Sequence, residues 1–348
     1  MSSKTKTTTT KAETIPSLVP KLRFPEFRGS EGWHVMKLNA LLYEAKHRNR
    51  TLELGPSDVL SVSGEYGCVN NADVIKGGIC APKLPEQQKI AECLSSVDVL
   101  MAAQARKVDT LKTHKSGLMQ QLFPREGETQ PRLRFPEFQN AGEWVESPLS
   151  KFILSLDAGV SVNSGDSRPA SKTEFGVLKT SAITKGQFEP EENKVVLAKD
   201  ELSRLREPVT GGTIIMCRKN TPSLVGSNAY VESSHENLFL PDLLWAAKPR
   251  EGVSMRFLAF ILGSDKGRAA LTKLAKGSSA SMSNITKPEV LAFSVMAPLP
   301  AEQQRIASCL TSLDDLITAR TQKLEALKTH KKGLMQQLFP SPDEHTTL

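Results

Sequence analysis

The sequence predicts an α+β protein: one mixed α/β domain, two long helices paired as an antiparallel coiled-coil spacer, and the remnant of a second domain. Three observations predict it. Long segments occur twice at unequal spacing, each copy ends in a heptad seam, and the longer interval holds short apolar runs broken by Gly, Pro, Asn and Ser.

The duplication comes first. Residues 20–27 read PKLRFPEF and residues 131–138 read PRLRFPEF, and a tryptophan follows each, Trp33 and Trp144, at the same offset of 111. Residues 111–124 (LKTHKSGLMQQLFP) return with one change as residues 327–340 (LKTHKKGLMQQLFP), an offset of 216 that runs back to Glu86-Gln87-Gln88 and Glu302-Gln303-Gln304. Phe27 and Glu86 are 59 residues apart, whereas Phe138 and Glu302 are 164 apart, so the first copy has lost about two thirds of its filling. Two long copies indicate duplication of a domain plus its helix, not a solenoid of short repeats.

The helices follow from the spacing of apolar residues. Ile90, Leu94, Val97, Met101, Val108, Leu111, Leu118 and Leu122 keep a 4-3 rhythm, with Gln104 and Lys115 filling the intervening seam positions. The second copy runs Ile306, Leu310, Leu313, Ile317, Leu324, Leu327, Leu334 and Leu338, interrupted at Arg320 and Lys331. A seam sustained for about five heptads predicts a coiled coil, each helix spanning roughly 55–60 Å. Pro85 and Pro300 fall at the starts and Pro124 and Pro340 at the ends, where proline is tolerated. The polar seam residues either fix register and partner or snorkel outward near the helix ends; both readings stand at this point. The simplest partner for each seam is the other, which would hold two domains a fixed distance apart.

The longer interval predicts strands at residues 152–156, 176–178, 194–197, 212–217, 229–231 and 293–296, with helices at 199–205, 255–263 and near 266–276. The divisions expected are a disordered Thr-rich tail (1–19), a lead-in with a truncated domain (20–83), a first helix (84–124), a linker (125–140), an intact domain (141–298), a second helix (299–340) and a tail (341–348). In the truncated copy, about 40 residues can hardly close an independent core, so a strand or hairpin beside the helix is expected.

Lys and Arg number 45 against 38 acids, a net charge of +7 that hints at a polyanionic partner. Over residues 147–298 the excess is weak, 19 cations against 15 acids. The five cysteines, Cys68, Cys80, Cys93, Cys217 and Cys309, include no C-x-x-C pair, which fits neither a disulfide framework nor a zinc site and points to a reducing cytoplasm. No run of about 18 apolar residues suggests a membrane span. There is no P-loop, no G-x-S-x-G, no H-E-x-x-H and no adenine-methyltransferase N-P-P-Y/F motif. Pro241-Asp242 opens like a nuclease motif, but no E-x-K follows. His114 and His330 are expected as exposed helical residues, not catalysts. No catalytic residue, metal or cofactor is expected.

A P-x-LRFPEF lead-in, a proline-led EQQ start, a long heptad helix and a GLMQQLFP end, all present twice, resemble the specificity subunit of type I restriction–modification systems. GVLKTSAI (176–183), ENLFLPDLLW (236–245) and GSSASMSNITK (277–287) resemble that family's target-recognition domains. The resemblance implies a non-catalytic scaffold whose recognition domains each read one half of a bipartite site in double-stranded DNA. It implies partnership with methyltransferase and motor-nuclease subunits, the methyl donor binding the former. With one domain truncated, the chain is expected to read one half-site. A second specificity chain could supply the other; alternatively, the chain docks methyltransferase through its helices and reads nothing.

DNA affinity needs cations for phosphates, and specificity needs side chains that reach base edges. Three clusters meet that description. Lys179, Thr180 and Ser181 end a predicted strand. Arg218, Lys219 and Asn220 follow the apolar run ending at Cys217. The Ser-rich segment 277–287 offers Ser279, Ser281, Asn284 and Lys287.

Overall fold

The computed structural model describes residues 18–37, 78–164, 167–279 and 282–340. It is an α+β structure divided into two compact units, one combining the residues up to Asp109 with those from Thr318 onward, the other running from Thr110 to Ile317. Two 39-residue helices, α1 (Leu84–Leu122) and α6 (Pro300–Leu338), contribute to both.

In the first unit, the lead-in passes through Trp33 into β1 (His34–Lys37), which pairs antiparallel with β2 (Gly78–Ala81), His34 opposite Ala81 and Lys37 opposite Gly78. β2 delivers the chain to α1. Trp33, Ile90 and Leu338 form a small buried cluster flanked by Leu18, Phe24, Leu94 and Leu334. Leu18 itself pairs antiparallel with Trp33. The portions of α1 and α6 in this unit run antiparallel: Ile90 meets Leu338, the Lys331 ammonium reaches Asp98 at 2.7 Å, and the Gln104 amide donates to the Arg320 carbonyl at 2.9 Å. Ile90, Val97, Gln104, Val108 and Leu338 are buried, and Leu94, Met101, Arg320, Leu324, Leu327, Lys331 and Leu334 are half-buried, while most intervening positions face solvent. That 4-3 alternation of burial is what a paired heptad seam requires. Of the segment 46–83 expected to hold a strand or hairpin, residues 78–81 form β2 and residues 46–77 lie outside the described residues, as do the tail before Leu18 and the tail at 341–348.

The second unit holds the globule. Its central sheet, in the order β10-β8-β12-β4, is antiparallel throughout, with β4 at Ile153–Ala158, β8 at Ile214–Cys217, β10 at Asn228–Tyr230 and β12 at Leu244–Pro249. Every residue of β8 is buried. Because side chains alternate along a strand, its apolar run serves two cores. Ile214 and Met216, with Trp245 and Ala247 of β12, face one core. Ile215 and Cys217, with Leu244 and Ala246, face the other. Each fully buried aliphatic side chain contributes about 1.5–3 kcal/mol.

The first core is closed by α3 (Met255–Gly263) and α4 (Asp265–Lys273) and reaches Leu122, Ile306 and Leu310 of the long helices. The second is closed by a mixed sheet in the order β6-β5-β11-β7, with β5 at Gly176–Leu178, β6 at Asn193–Val195, β7 at Pro208–Val209 and β11 at His235–Phe239. A short helix, α2 (Lys199–Arg204), follows β6.

The serines between segments set the helices. Ser254 Oγ accepts from the Phe257 amide, and Ser264 Oγ from the Gly267 amide, satisfying N-terminal donors that would otherwise be orphaned. At Gly267 a Cβ would lie 2.1 Å from the Ile261 carbonyl oxygen, so this tight corner between α3 and α4 admits only glycine.

The helix expected near residues 266–276 ends at Lys273, because Lys276 opens β13 (Lys276–Ser279) by pairing with Asn284 of β14 (Met282–Asn284). After β14, a brief α5 (Lys287–Ala292) leads into β15 (Ser294–Ala297), which pairs with β3 (Val145–Pro148), Val145 opposite Ala297 and Pro148 opposite Ser294. Leu122, Ile306 and Leu310 are buried here, and Leu111, Lys115, Leu118, Leu313 and Ile317 half-buried. Lys115 pairs with Asp314 at 2.6 Å. The repeated seam lysines therefore bind an aspartate of the other helix.

Candidate nucleic-acid interface

A third sheet, in the order β13-β14-β9, assembles the site. β9 (Lys219–Asn220) leaves β8 after a single residue, Arg218, and pairs antiparallel with β14, Asn220 opposite Ser283 and Lys219 opposite Asn284. The Arg218 carbonyl accepts from the Ile285 amide at 2.9 Å, extending the ladder. Two of the three expected clusters, Arg218-Lys219-Asn220 and the segment bearing Asn284, thus meet in one small sheet, with Lys219 and Asn284 on one face and Asn220 on the other. Lys287 follows as the exposed first residue of α5.

The polar chemistry of this surface is open. Lys219 has no carboxylate within ion-pair distance among the described residues. Asn284 Oδ1 and Arg218 Nε are buried without a hydrogen-bond partner among the described residues, which is uncommon for polar atoms. Asn220 is held: its Oδ1 accepts from the Thr221 amide at 2.8 Å, and its Nδ2 donates to Cys217 Sγ at 3.6 Å. Burial pushes the Cys217 thiol above its ordinary pKa, so it stays protonated and unreactive.

The third cluster sits elsewhere. Lys179 precedes a 3-10 turn, Thr180–Ile183, at the end of β5, and the pairing of β5 with β6 brings Glu192 against it. Ser181 Oγ donates to Glu192 at 2.6 Å and the Lys179 ammonium lies 3.7 Å from the same carboxylate. Those contacts, the serine first, hold Glu192 below its ordinary pKa. The cluster's positive charge is already matched, and Thr180 is half-buried beside it. Ser281 lies outside the described residues, as does the side chain of Ser279, whose backbone pairs with Met282.

Sequence reasoning missed Arg268 of α4. Its guanidinium reaches the Ser223 and Val225 carbonyls at 3.4 and 3.5 Å, on the loop that follows Asn220. Burial lowers its pKa from the ordinary value. Lys248 is different: it is clamped between Asp157 and Glu207, at 2.9 Å from each. That ion triad ties β4 and β12 to the segment before β7 and matches the lysine's charge. Among the described residues, no group of three or more His, Cys, Asp or Glu side chains is placed to hold a metal ion.

Residues 174–329 match the family model described as the type I restriction modification DNA specificity domain. The matched segment is under half of the chain. Over 266 residues it is 26% identical to the type I restriction enzyme MjaVIII specificity subunit of Methanocaldococcus jannaschii, covering 74% of this chain and 60% of the relative. Over 237 residues it is 22% identical to the EcoEI specificity subunit of Escherichia coli, covering 67% and 39%. The chain therefore spans 60% or less of the length of those relatives. A solved S subunit of a type I restriction–modification system from M. genitalium shares its fold, with a TM-score of 0.55 at 15% identity over 78% of this chain and 66% of that one. Among the described residues, no helix is long and apolar enough to cross a membrane.

Proposed function

We propose that this chain is the sequence-reading scaffold of a type I restriction–modification complex in the cytoplasm. It binds double-stranded DNA through the globule of residues 141–298 and carries methyltransferase and motor-nuclease subunits to the site without catalysing a reaction itself. The globule reads one half of a bipartite target, and a second specificity chain is a source for the other half. The observation that carries this reading is the β9–β14 pairing, which gathers Arg218, Lys219, Asn220 and Asn284 in one small sheet, Lys219 and Asn284 on the same face, with Arg218 and Asn284 polar atoms unmatched among the described residues. Arginine and asparagine supply the bidentate geometry that suits guanine and adenine edges. Lys219 and Lys287 supply phosphate contacts, while Lys179, Thr180 and Ser181, matched to Glu192, contribute less.

Binding to duplex DNA should weaken as salt rises, log K falling by about 0.9 per phosphate contact for each tenfold rise in salt. Methylation mapping in cells carrying this allele should reveal a discrete motif. Asn284→Ala should relax one position of that motif, and Lys219→Ala should weaken binding across all sequences alike. A chain that binds no DNA in the presence of its methyltransferase, or an allele that leaves no motif, overturns the reading in favour of a helical docking protein.

A further inference from the structure

Four arginines of the second unit are half-buried among its described residues: Arg134, Arg218, Arg256 and Arg268. Arg134 faces Glu302 at 2.7 Å and Arg256 faces Glu232 at 3.3 Å. Arg218 and Arg268 face no carboxylate among the described residues. Both border the same turn. The Gly226 amide donates to the Cys217 carbonyl, which places Gly226 beside the start of the Arg218 segment. Gly226 has φ +72, and a Cβ there would lie 3.0 Å from Leu271 Cβ, 3.2 Å from Ile285 Cδ1 and 3.7 Å from Arg268 Nη1. The left-handed, crowded glycine lets the loop lie flat against α4, where Arg268 braces it.

Arg268 is poorly satisfied there. A guanidinium carries five N–H donors, and its two contacts, at 3.4 and 3.5 Å, are longer than the usual 2.7–3.2 Å. Its neighbours Thr221, Pro222 and Ser223 are exposed, and the Thr221 and Ser223 hydroxyls lie 3.3 Å apart. A partly desolvated cation with spare donors and no counter-charge, beside exposed hydroxyls, suits an oxyanion from outside.

We propose that Arg268, reaching past the Thr221–Gly226 loop, is a DNA phosphate contact that seats the Lys219–Asn220 strand against its target. This deepens the DNA-reading proposal and rests on it. Arg268 fixes position and contributes no base discrimination, so its loss weakens all sequences alike.

The test uses the full chain and a labelled random-sequence duplex, titrated over a range of salt. Arg268→Gln is expected to reduce the slope of log K against log salt by about 0.9, the value of one phosphate. Ser223→Glu, at an exposed loop position that leaves the core untouched, places a carboxylate beside the guanidinium and is expected to reduce the slope in the same way. Wild-type binding that depends on salt, with neither variant altering the slope, overturns the Arg268 assignment and leaves the DNA-reading proposal standing. Absence of salt-dependent binding by the wild type overturns both.

Discussion

The two units carry the same joint around very different contents. In the first, β1 and β2 enclose residues 38–77; in the second, β3 and β15 enclose residues 149–293, and the two strand pairs have equivalent registers. Arg23 forks onto Glu86 and onto the Ser30 and Glu31 carbonyls; Arg134 forks onto Glu302 and onto the Ala141 and Gly142 carbonyls. The Leu22 amide donates to the Gln337 carbonyl, and the Leu133 amide to that of Gln121. Trp33 meets Phe339 edge-on at 5.7 Å, and Trp144 meets Phe123 at 6.0 Å. Lys89 over Phe24 has its counterpart in Arg305 over Phe135.

What differs among the described residues is the bracing. Trp144 and Phe123 also contact Phe257 of the globule, Arg256 donates to Thr311, and Lys115 lies over the Phe260 ring. The lesson is that the lead-in and the helix ends make the same joint in both units, and in the second the globule reinforces it. A domain hung from two adjacent antiparallel strands can be shortened without disturbing that joint, since loop length costs only about 0.6 kcal/mol per doubling.

The strongest way to break this equivalence is at the forks. Each buried carboxylate depends on its arginine, whose pKa is raised by the hydrogen bond to it. Arg23→Met and Arg134→Met should each cost about 3–5 kcal/mol, because each strands a buried charge. Urea melts followed by tryptophan fluorescence would measure this, and pairing each variant with Glu86→Met or Glu302→Met should recover most of the loss. Unequal costs at the two forks would show that the joints are alike in geometry only.

Next in size is the excision of residues 38–77 in favour of an Asn-Gly turn between Lys37 and Gly78. Shortening the connection between β1 and β2 by about four halvings should raise stability by up to about 2.5 kcal/mol. A thermal melt checks it, and a fall in midpoint would mean that those residues support the joint.

Acid should then separate the units. Glu289 is held down to about 2, first by Lys276 and then by Thr286, and Asp157 is lowered first by its hydrogen bond from Lys248. In the first unit Glu31 is lowered by Lys83. Carboxylates depressed in the fold bind more protons when unfolded, so their stabilisation is complete above the unfolded pKa of about 4 and is lost as pH falls towards 2. The second unit should lose more protection over that window, read by hydrogen exchange at its amides compared with those of the first.

The smallest effect belongs to the seam lysines. Lys115→Ala and Lys331→Ala should each cost about 0.2–1 kcal/mol. The former should cost more, because Lys115 also lies over Phe260 and its aspartate is less exposed. Equal costs in denaturant melts would assign no value to the ring contact.

Much of the architecture was readable before any coordinates. The two helices, the strands of residues 176–178 and 214–217 and the helix of 255–263 all follow from periodic apolar residues and from serine and proline at their edges. β9 and β14 were not readable: Lys-Asn and Met-Ser-Asn are short and polar, and only their pairing with each other and of β14 with β13 makes them strands. Of the site, the residue types at 218–220 and 284 were visible but not their union. Glu192, which matches Lys179 and Ser181, gave no signal because it arrives through the pairing of β5 with β6. Arg268 looked like one more cation on an ordinary helix.

The amino-acid order alone determined the duplication, the seam and the existence of two unequal copies, because heptad periodicity and repeated words are properties of near neighbours along the chain. Only the tertiary structure decided which cations are neutralised and which are left open. Charge matching depends on groups remote in sequence, and Arg268 was distinguished from Arg134 only by what folding placed, or did not place, against it.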